Sequence, residues 1–257
     1  MKLSIFAILL IVTTQIQATN LRPLATDRPD ATESPQTVDK GYFQVETSFA
    51  AYSRDKASGV TTTSISAFET NFKYGVSDSV DLQLVVIPFL EEKIKTQGGS
   101  ATESSHGDIE LRAKINIWGN NGGDSAFGLL PFIKIPSGDL SNDKYELGVI
   151  LTYGTLWSDY DIGTQVQIDR AYEASKNDYS LVGSHTAVLG YELTDSVGGY
   201  LEYIGDYTTD DDYNPFLSFG FTLQNDENSQ WDFGSVFALS DEGEDLSIFA
   251  GYTIRFK

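Results

Sequence analysis

Cysteine is absent from the 257-residue sequence, and methionine occurs once. The lack of cysteine excludes a disulfide framework, a thiolate metal site and a cysteine nucleophile. Basic residues are also scarce, because 17 lysines and arginines stand against 37 aspartates and glutamates and leave a net charge of −20. Nucleic-acid binding depends on Lys and Arg side chains that neutralise phosphates. The composition therefore argues against a nucleic-acid partner.

Long apolar runs are missing as well. The clearest run extends from Leu3 to Val12, which is about half of the roughly 20 residues that a membrane-spanning helix needs. It follows a short basic start, Met1-Lys2, and precedes polar residues that end at the small residue Ala18. This pattern predicts a secretory signal peptide over residues 1–18, and the shortness of the run disfavours an N-terminal membrane anchor.

Residues 19–40 contain three of the prolines, Pro23, Pro29 and Pro35, and show no apolar periodicity. Proline and small polar residues without periodicity predict an irregular segment, which we call the leader. Fully extended, a segment of about 20 residues reaches roughly 60–70 Å. The leader is therefore long enough either to enter a barrel or to remain in the periplasm.

From Gly41 onward, apolar and polar residues alternate in segments of about a dozen residues. In the last segment, Leu246, Ile248 and Ile254 fall on one side of a strand, whereas Thr253 falls on the other. Alternation with a period of two is typical of β-strands. The sequence predicts twelve strands at about 41–53, 63–75, 79–90, 107–118, 125–136, 144–156, 159–171, 178–191, 197–207, 214–224, 230–239 and 245–256.

The breaks between these strands alternate between short turns and longer polar links. The longest predicted link runs from Glu91 to His106. Outer-membrane barrels have an even number of strands, short periplasmic turns and longer external loops. We therefore predict a transmembrane antiparallel β-barrel of about twelve strands over residues 41–257. A soluble β-sandwich or a lipocalin-like barrel is the alternative, because one strand of either would show the same local pattern.

Charged residues recur on the polar side of the predicted strands. A barrel of eight strands is filled by side chains, whereas one of sixteen or more encloses a wide channel. Twelve strands lie between these cases, so the charges either line a narrow pore or fill the interior. The predicted lumen-lining residues are Glu46, Glu69, Lys73, Asp81, Glu110, Arg112, Lys114, Lys134, Glu146, Glu202 and Arg255.

The leader carries charges of its own, and we expect it to fold back into the periplasmic mouth and to set the width of the pore. The predicted plug residues are Asp27, Arg28, Asp30 and Glu33. In this hypothesis Arg28 pairs with an inward carboxylate such as Glu46 or Glu69. The alternative is a disordered leader.

The run TDRPDATESP at 26–35, followed by GYFQVE at 41–46, is similar to the start of an outer-membrane β-barrel family described as "putative MetA-pathway of phenol degradation". The motif covers about residues 24–49, and beyond it the resemblance rests on strand rhythm. It implies a Gram-negative outer-membrane protein that acts as a channel for small organic molecules. The chain departs from the pattern by ending in Phe256-Lys257, without a terminal aromatic residue.

An outer-membrane lipid hydrolase is a rival of another class, since such enzymes use Ser and His. The sequence has two histidines, His106 and His185. Ser184 precedes His185 on a predicted strand, where neighbours point to opposite faces, so the two cannot form a dyad. His106 lies near Ser104 and Ser105 without a recognisable motif. We therefore predict no enzyme, no cofactor and no metal site.

These observations favour passive transport of a small solute, because no nucleotide site or energy-coupling motif is visible. A non-conducting structural or surface-binding barrel is the alternative. The partners we expect are outer-membrane lipid, lipopolysaccharide and the solute.

Overall fold

A computed structural model of the protein describes residues 21–207, 213–240 and 244–257. The predicted signal peptide, residues 1–18, lies outside the described residues. The described chain is built from strands, and none of it forms a helix long and apolar enough to span a membrane. The strands are β1 (Phe43–Ala57), β2 (Val60–Ala67), β3 (Glu69–Ser77), β4 (Val80–Val86), β5 (Phe89–Thr96), β6 (Gly99–Ser105), β7 (Ile109–Trp118), β8 (Ser125–Ile135), β9 (Glu146–Trp157), β10 (Tyr160–Glu173), β11 (Asp178–Thr194), β12 (Val197–Tyr207), β13 (Tyr213–Asp226), β14 (Ser229–Ala238) and β15 (Leu246–Phe256).

These fifteen segments make a closed barrel of twelve antiparallel strands. Three barrel strands are each interrupted once, so that β2 continues into β3, β4 into β5 and β6 into β7. The barrel closes where β1 pairs with β15, from Phe43 opposite Phe256 to Arg54 opposite Leu246. The prediction of a twelve-stranded antiparallel barrel is thereby confirmed.

The two faces of the barrel reverse the pattern of a soluble protein. Most buried inward side chains are polar, as shown by Thr152, Asp232 and Thr253, each at 0% exposure. Outward side chains are large and apolar, such as Leu82 at 52% and Phe233 at 52% exposure. An apolar outer surface on a closed barrel is what a lipid environment requires.

One predicted loop is wrong. The link from Glu91 to His106 is a β-hairpin, because β5 and β6 pair from Leu90 opposite Ser105 to Thr96 opposite Gly99. Its residues are mostly polar on both faces, and this removes the alternation by which a half-buried strand is predicted. β5 also pairs with β2, which pairs with the second half of β1. We call this extension, residues 50–67 and 89–105, the loop-side arm.

The opposite end of the barrel holds the short turns, and we call it the turn side. Gly41 and Gly75 join the end of the leader to this rim, since the Gly41 amide donates to the Gly75 carbonyl at 2.8 Å. Lys40 forms a bridge to Gly75 as well. The leader, residues 21–40 of the described chain, is therefore connected to the barrel at its turn side.

Candidate functional site

The leader lies inside the barrel without regular secondary structure. Its backbone is held by inward side chains of several strands. The amide of Val38 donates to Asp81 on β4 at 2.9 Å, and the amide of Glu33 donates to Gln165 on β10 at 2.7 Å. Asn116 on β7 donates to the carbonyl of Pro35 at 2.8 Å. A segment without secondary structure thus satisfies its backbone groups with lumen side chains, as a buried chain must.

Asp27 joins the leader to a cluster of charged lumen residues. Its carboxylate binds the ammonium groups of Lys73 and Lys114, both of which are almost fully buried. It also accepts a hydrogen bond from the amide of Ser34 at 2.9 Å. Burial by itself raises the pKa of the Asp27 carboxyl, but Lys114 and Lys73 hold that pKa well below its ordinary value. Lys73 also binds Glu46, so the four side chains form one charge cluster.

Arg28 extends from the next position of the leader toward β14. Its guanidinium binds Asp232 through Nη2 to Oδ1 at 2.8 Å and Nε to Oδ2 at 3.3 Å. The same group lies 5.5 Å from the centre of the Phe249 ring. The predicted partners, Glu46 and Glu69, are wrong. Glu46 accepts instead from the Asp27 amide at 3.2 Å, so its place is already taken by the neighbouring leader residue.

Glu202 on β12 binds the middle of the leader through backbone groups. Its carboxylate oxygens accept from the amides of Ala31 and Thr32, each at 2.9 Å, and from the Thr32 hydroxyl at 2.7 Å. The Thr32 hydroxyl also contacts that of Thr186. Hydrogen bonds to a charged acceptor are stronger than neutral ones. Glu202 therefore holds this segment through its backbone.

Glu33 joins the leader to a second set of cations. One carboxylate oxygen binds Arg112 at 2.6 Å, and the other lies 3.4 Å from Lys114. Burial and the nearby Asp27 raise the pKa of Glu33 to about 7, although both cations act in the opposite direction. The carboxyl of Asp30, also in the leader, has its pKa raised by burial and by the charge of Glu202.

Residues at the end of the leader contact the turn-side rim closely. Asp39 pairs with Arg22 at 2.9 Å and with Arg255 at 3.0 Å. A methyl group at Gly75 would overlap the backbone carbonyl of Asp39. This rim position therefore requires glycine because the leader approaches so closely.

Two cavities lie within the barrel on either side of the leader. A cavity of about 660 Å³ opens toward the turn side and is lined by Asp30, Thr32 and Glu33 together with turn residues such as Asn120. A cavity of about 350 Å³ lies toward the loop side and is lined by Ala31 and Glu33 of the leader. Because Glu33 borders both cavities, residues 30–33 form the partition between them. The strand residues that line the smaller cavity are Glu110, Arg112, Phe132, Lys134, Glu146, Ile150, Gln165, Gln167, Asp169 and Ala171.

The structure brings most of the predicted lumen residues to the leader. Those that contact it are Glu46, Lys73, Asp81, Arg112, Lys114, Glu202 and Arg255. Lys134 and Glu146 pair with each other instead, and Glu110 pairs with Arg112. Glu69 lies opposite the buried Ser48 in the sheet but contacts no leader residue among the described interactions.

Sequence reasoning missed several residues that bind the leader. They are the charged residue Asp232 and neutral polar residues such as Gln165 and Asn116. Alternation in β14 places Asp232 on the other face from Trp231 and Phe233, so its inward direction could be predicted from the sequence. The neutral residues carry no charge signal, and their role depends on where the leader passes.

The two histidines lie in unrelated surroundings. His185 stacks on Tyr213 with a centroid distance of 5.9 Å, at a position that pairs with Gly205 on the outward face. Ser184 pairs with Asp206 in the same ladder and points to the opposite face. His106 is exposed between β6 and β7, while the Ser105 hydroxyl oxygen accepts from the Asp139 amide at 2.7 Å.

Solved structures of similar fold are outer-membrane barrels. An outer membrane channel from Pseudomonas putida F1 superposes with a TM-score of 0.59 at 14% identity, over 90% of this chain and 100% of that chain. The KdgM porin gives 0.52 at 10% identity, over 83% and 99% of the two chains. The translocator domain of the autotransporter NalP from Neisseria meningitidis gives 0.50 at 12% identity, over 84% and 89%. At these identities the likeness establishes the fold.

No protein of curated function matches the sequence. The family described as "Putative MetA-pathway of phenol degradation" matches residues 26–256, which include the leader from Thr26 and the barrel through Phe256. The match covers nearly the whole chain, and it agrees with the resemblance of the leader and first strand. The protein therefore belongs to this family of outer-membrane β-barrels.

Proposed function

We propose that the protein is a narrow outer-membrane channel that lets a small organic solute pass down its own gradient. The observation that carries this proposal is the pair of cavities, about 660 and 350 Å³, separated by residues 30–33 of the leader within a closed barrel. Cavities of about 300–1,000 Å³ are the size that accommodates small molecules. The lumen is thus wide enough for a solute on both sides of one thin partition.

The polar lining supports transport of a solute that carries hydrogen-bonding groups. The loop-side cavity combines the Phe132 ring with carboxylates and two cations, Arg112 and Lys134. An aromatic ring beside charged groups suits a molecule with an apolar part and a polar part. The similar structures include proteins named as a channel and as a porin, and this agrees with the proposal.

The leader sets the width of the pore in this proposal. It spans the lumen between β14, where Asp232 binds Arg28, and β7, where Arg112 binds Glu33. A twelve-stranded barrel without a plug would be wider than a packed eight-stranded one. The proposed plug residues are Asp27, Arg28, Asp30 and Glu33, and the leader begins after a signal peptide cleaved at residue 18.

The test is planar-bilayer conductance of the folded protein and of a variant that lacks residues 19–38. Folding of both is checked by heat modifiability on a gel. We expect small discrete steps for the complete leader and steps several-fold larger for the deletion. Equal conductance of the two folded proteins would contradict the role of the leader. A folded protein without steps in either form would favour the alternative, a non-conducting structural or surface-binding barrel.

We propose no catalytic role. Ser184 and His185 lie on opposite faces of β11, so they do not act together. His106 is the remaining candidate, and hydrolysis of a lipid ester that is abolished in His106→Ala would contradict this part of the proposal. The proposed location is the outer membrane of a Gram-negative bacterium, with lipid and lipopolysaccharide around the apolar outer face.

A further inference from the structure

The loop-side arm collects four basic side chains on one face. Arg54 lies opposite Thr63, and Thr63 lies opposite Lys93. Lys56 lies opposite Thr61, which in turn lies opposite Lys95. Residues that pair directly across antiparallel strands point to the same face, and residues two apart along a strand do so too. The four cations therefore form a two-by-two array, which we call the basic patch.

The dimensions of the basic patch follow from sheet geometry. Arg54 and Lys93 are separated by one intervening strand, which places their backbones about 9–10 Å apart. Arg54 and Lys56 are separated by about 7 Å along one strand. All four side chains are exposed, and none makes an ion pair with another residue in the described part of the chain. The basic patch thus gathers four of the 17 cations of a chain whose net charge is −20.

The other face of the arm has the opposite sign. Asp55 alternates with Arg54 and Lys56 along β1, and Glu92 lies opposite both Ser64 and Glu103. These acids continue the inward face of the barrel, because Ala51 on the same face pairs with Phe249. The arm thus separates its charges, with acids above the lumen and cations on the outside. Glu91 is the one acid on the outward face of the arm, two residues before Lys93 along β5.

The basic patch continues the surface that faces lipid. One row nearer the barrel, the outward positions are Tyr52, Ile65 and Ile248, and the two isoleucines are 39% and 48% exposed. Phe43 marks the turn-side end of β1, with 46% exposure. β1 has a bulge between Ser48 and Ala50, so Phe43 and Arg54 are separated by ten positions of the partner strand β15. Ten positions at about 3.3 Å each, tilted by about 40°, rise roughly 25 Å. The apolar band of such barrels is about 25 Å tall, so the patch lies at headgroup height.

We propose that the basic patch binds the phosphate groups of lipopolysaccharide in the outer leaflet. Arg and Lys side chains form charge-assisted hydrogen bonds with phosphates, and the hydroxyls of Thr61 and Thr63 lie between the cations as further donors. Clustered cations beside a membrane are the usual feature of sites for anionic headgroups. The patch would fix the rotational position and depth of the barrel against its annular lipid. This inference rests on the proposed outer-membrane location but not on transport.

The experiment titrates purified lipid A against the complete protein in a nonionic detergent at fixed ionic strength. The test variant is Lys93→Gln/Lys95→Gln. The matched control is Lys40→Gln/Lys257→Gln, which removes two exposed cations from the turn-side end. A cation near a lipid surface contributes about 1 kcal/mol, which corresponds to about fivefold in affinity. We expect the test pair to weaken binding about 25-fold and the control pair less than twofold.

Two further measurements identify the chemical group that the basic patch binds. Lipid A without its phosphates should bind the unmodified protein as weakly as lipid A binds the test variant. The conservative variant Lys93→Arg/Lys95→Arg should keep the affinity, which separates lost charge from altered folding. Equal losses in the test and control pairs, or undiminished binding of phosphate-free lipid A, would overturn the proposal. Conductance of the test variant should equal that of the unmodified protein, so failure here is distinct from failure of the transport proposal.

Discussion

The lumen and the loop-side arm use the same residue types in opposite ways. Lys73 in the lumen is 3% exposed and binds two carboxylates. Lys93 on the arm is exposed and has no ion-pair partner among the described residues. In the lumen, charges of both signs alternate within one cluster. On the arm, the signs are sorted to separate faces apart from Glu91. The lumen is thus arranged for internal pairing, and the arm for external contacts.

The difference shows that the energetic role of a charge depends on its surroundings. A buried charge that loses its partner leaves the other charge desolvated, which costs several kcal/mol. An exposed charge loses little, because water replaces the partner. Substitutions in the lumen should therefore change stability, whereas substitutions on the arm should change recognition. Matched substitutions in the two regions test this contrast.

Lys73→Met should destabilise the protein by about 3–5 kcal/mol, because it leaves Asp27 and Glu46 buried with one cation fewer. The measurement is the free energy of unfolding from urea titration of the barrel in lipid vesicles. Lys93→Met on the arm is the matched control and should change stability by less than about 0.5 kcal/mol. Equal effects of the two substitutions would remove the distinction between the two regions.

The Arg28–Asp232 pair should show a coupling energy of about 2 kcal/mol, as expected for hydrogen bonds between charged groups. The test is a double-mutant cycle of Arg28→Met and Asp232→Asn, again read from urea unfolding. The side chain of Asp232 is fully buried and that of Arg28 is 19% exposed, so solvent screening is limited. Additive effects would show that the leader does not bind β14 through this pair.

The leader should bind the lumen more weakly as pH rises, because Glu33 loses its proton. Its pKa is raised to about 7 from the ordinary 4.5, so the favourable contribution is complete below about 4.5 and is lost as pH rises through 7. The groups facing it are Asp27, Lys114 and Arg112.

We expect the difference in unfolding free energy between the unmodified protein and Glu33→Gln to change by about 2–3 kcal/mol between pH 5 and pH 8. The unmodified protein should lose stability over this range. A constant difference between the two proteins would show that Glu33 keeps an ordinary pKa.

Most of the barrel was predictable from the chain because lipid and lumen impose opposite demands on neighbouring residues. In β7, Ile109, Leu111 and Ile117 alternate with Arg112 and Lys114, and the predicted limits 107–118 enclose the observed strand. In β5 and β6 the signal fails, since Lys93 and Glu92 point to opposite faces and are both polar. Periodicity detects a difference in polarity between the two faces of a strand. The two faces of the arm differ in the sign of their charges but not in polarity.

The residues of the site were largely predictable from the sequence, but their partners were not. Asp27, Arg28 and Glu33 were expected to bind inward side chains, yet the expected partners of Arg28 were wrong and Asp232 was missed. Arg28 and Asp232 are separated by 204 residues along the chain. Several inward carboxylates could pair with Arg28 equally well, and the local sequence does not show which of them lies near it.

The sequence by itself determined most of the strands, their inward and outward faces and the twelve-stranded count. These follow from local alternation, which each segment carries independently of the others. Only the tertiary structure decided the path of the leader, the partition between the two cavities and the gathering of Arg54, Lys56, Lys93 and Lys95 on one face. Each of these depends on register and on distances across the barrel, and such distances exist only once the sheet has closed.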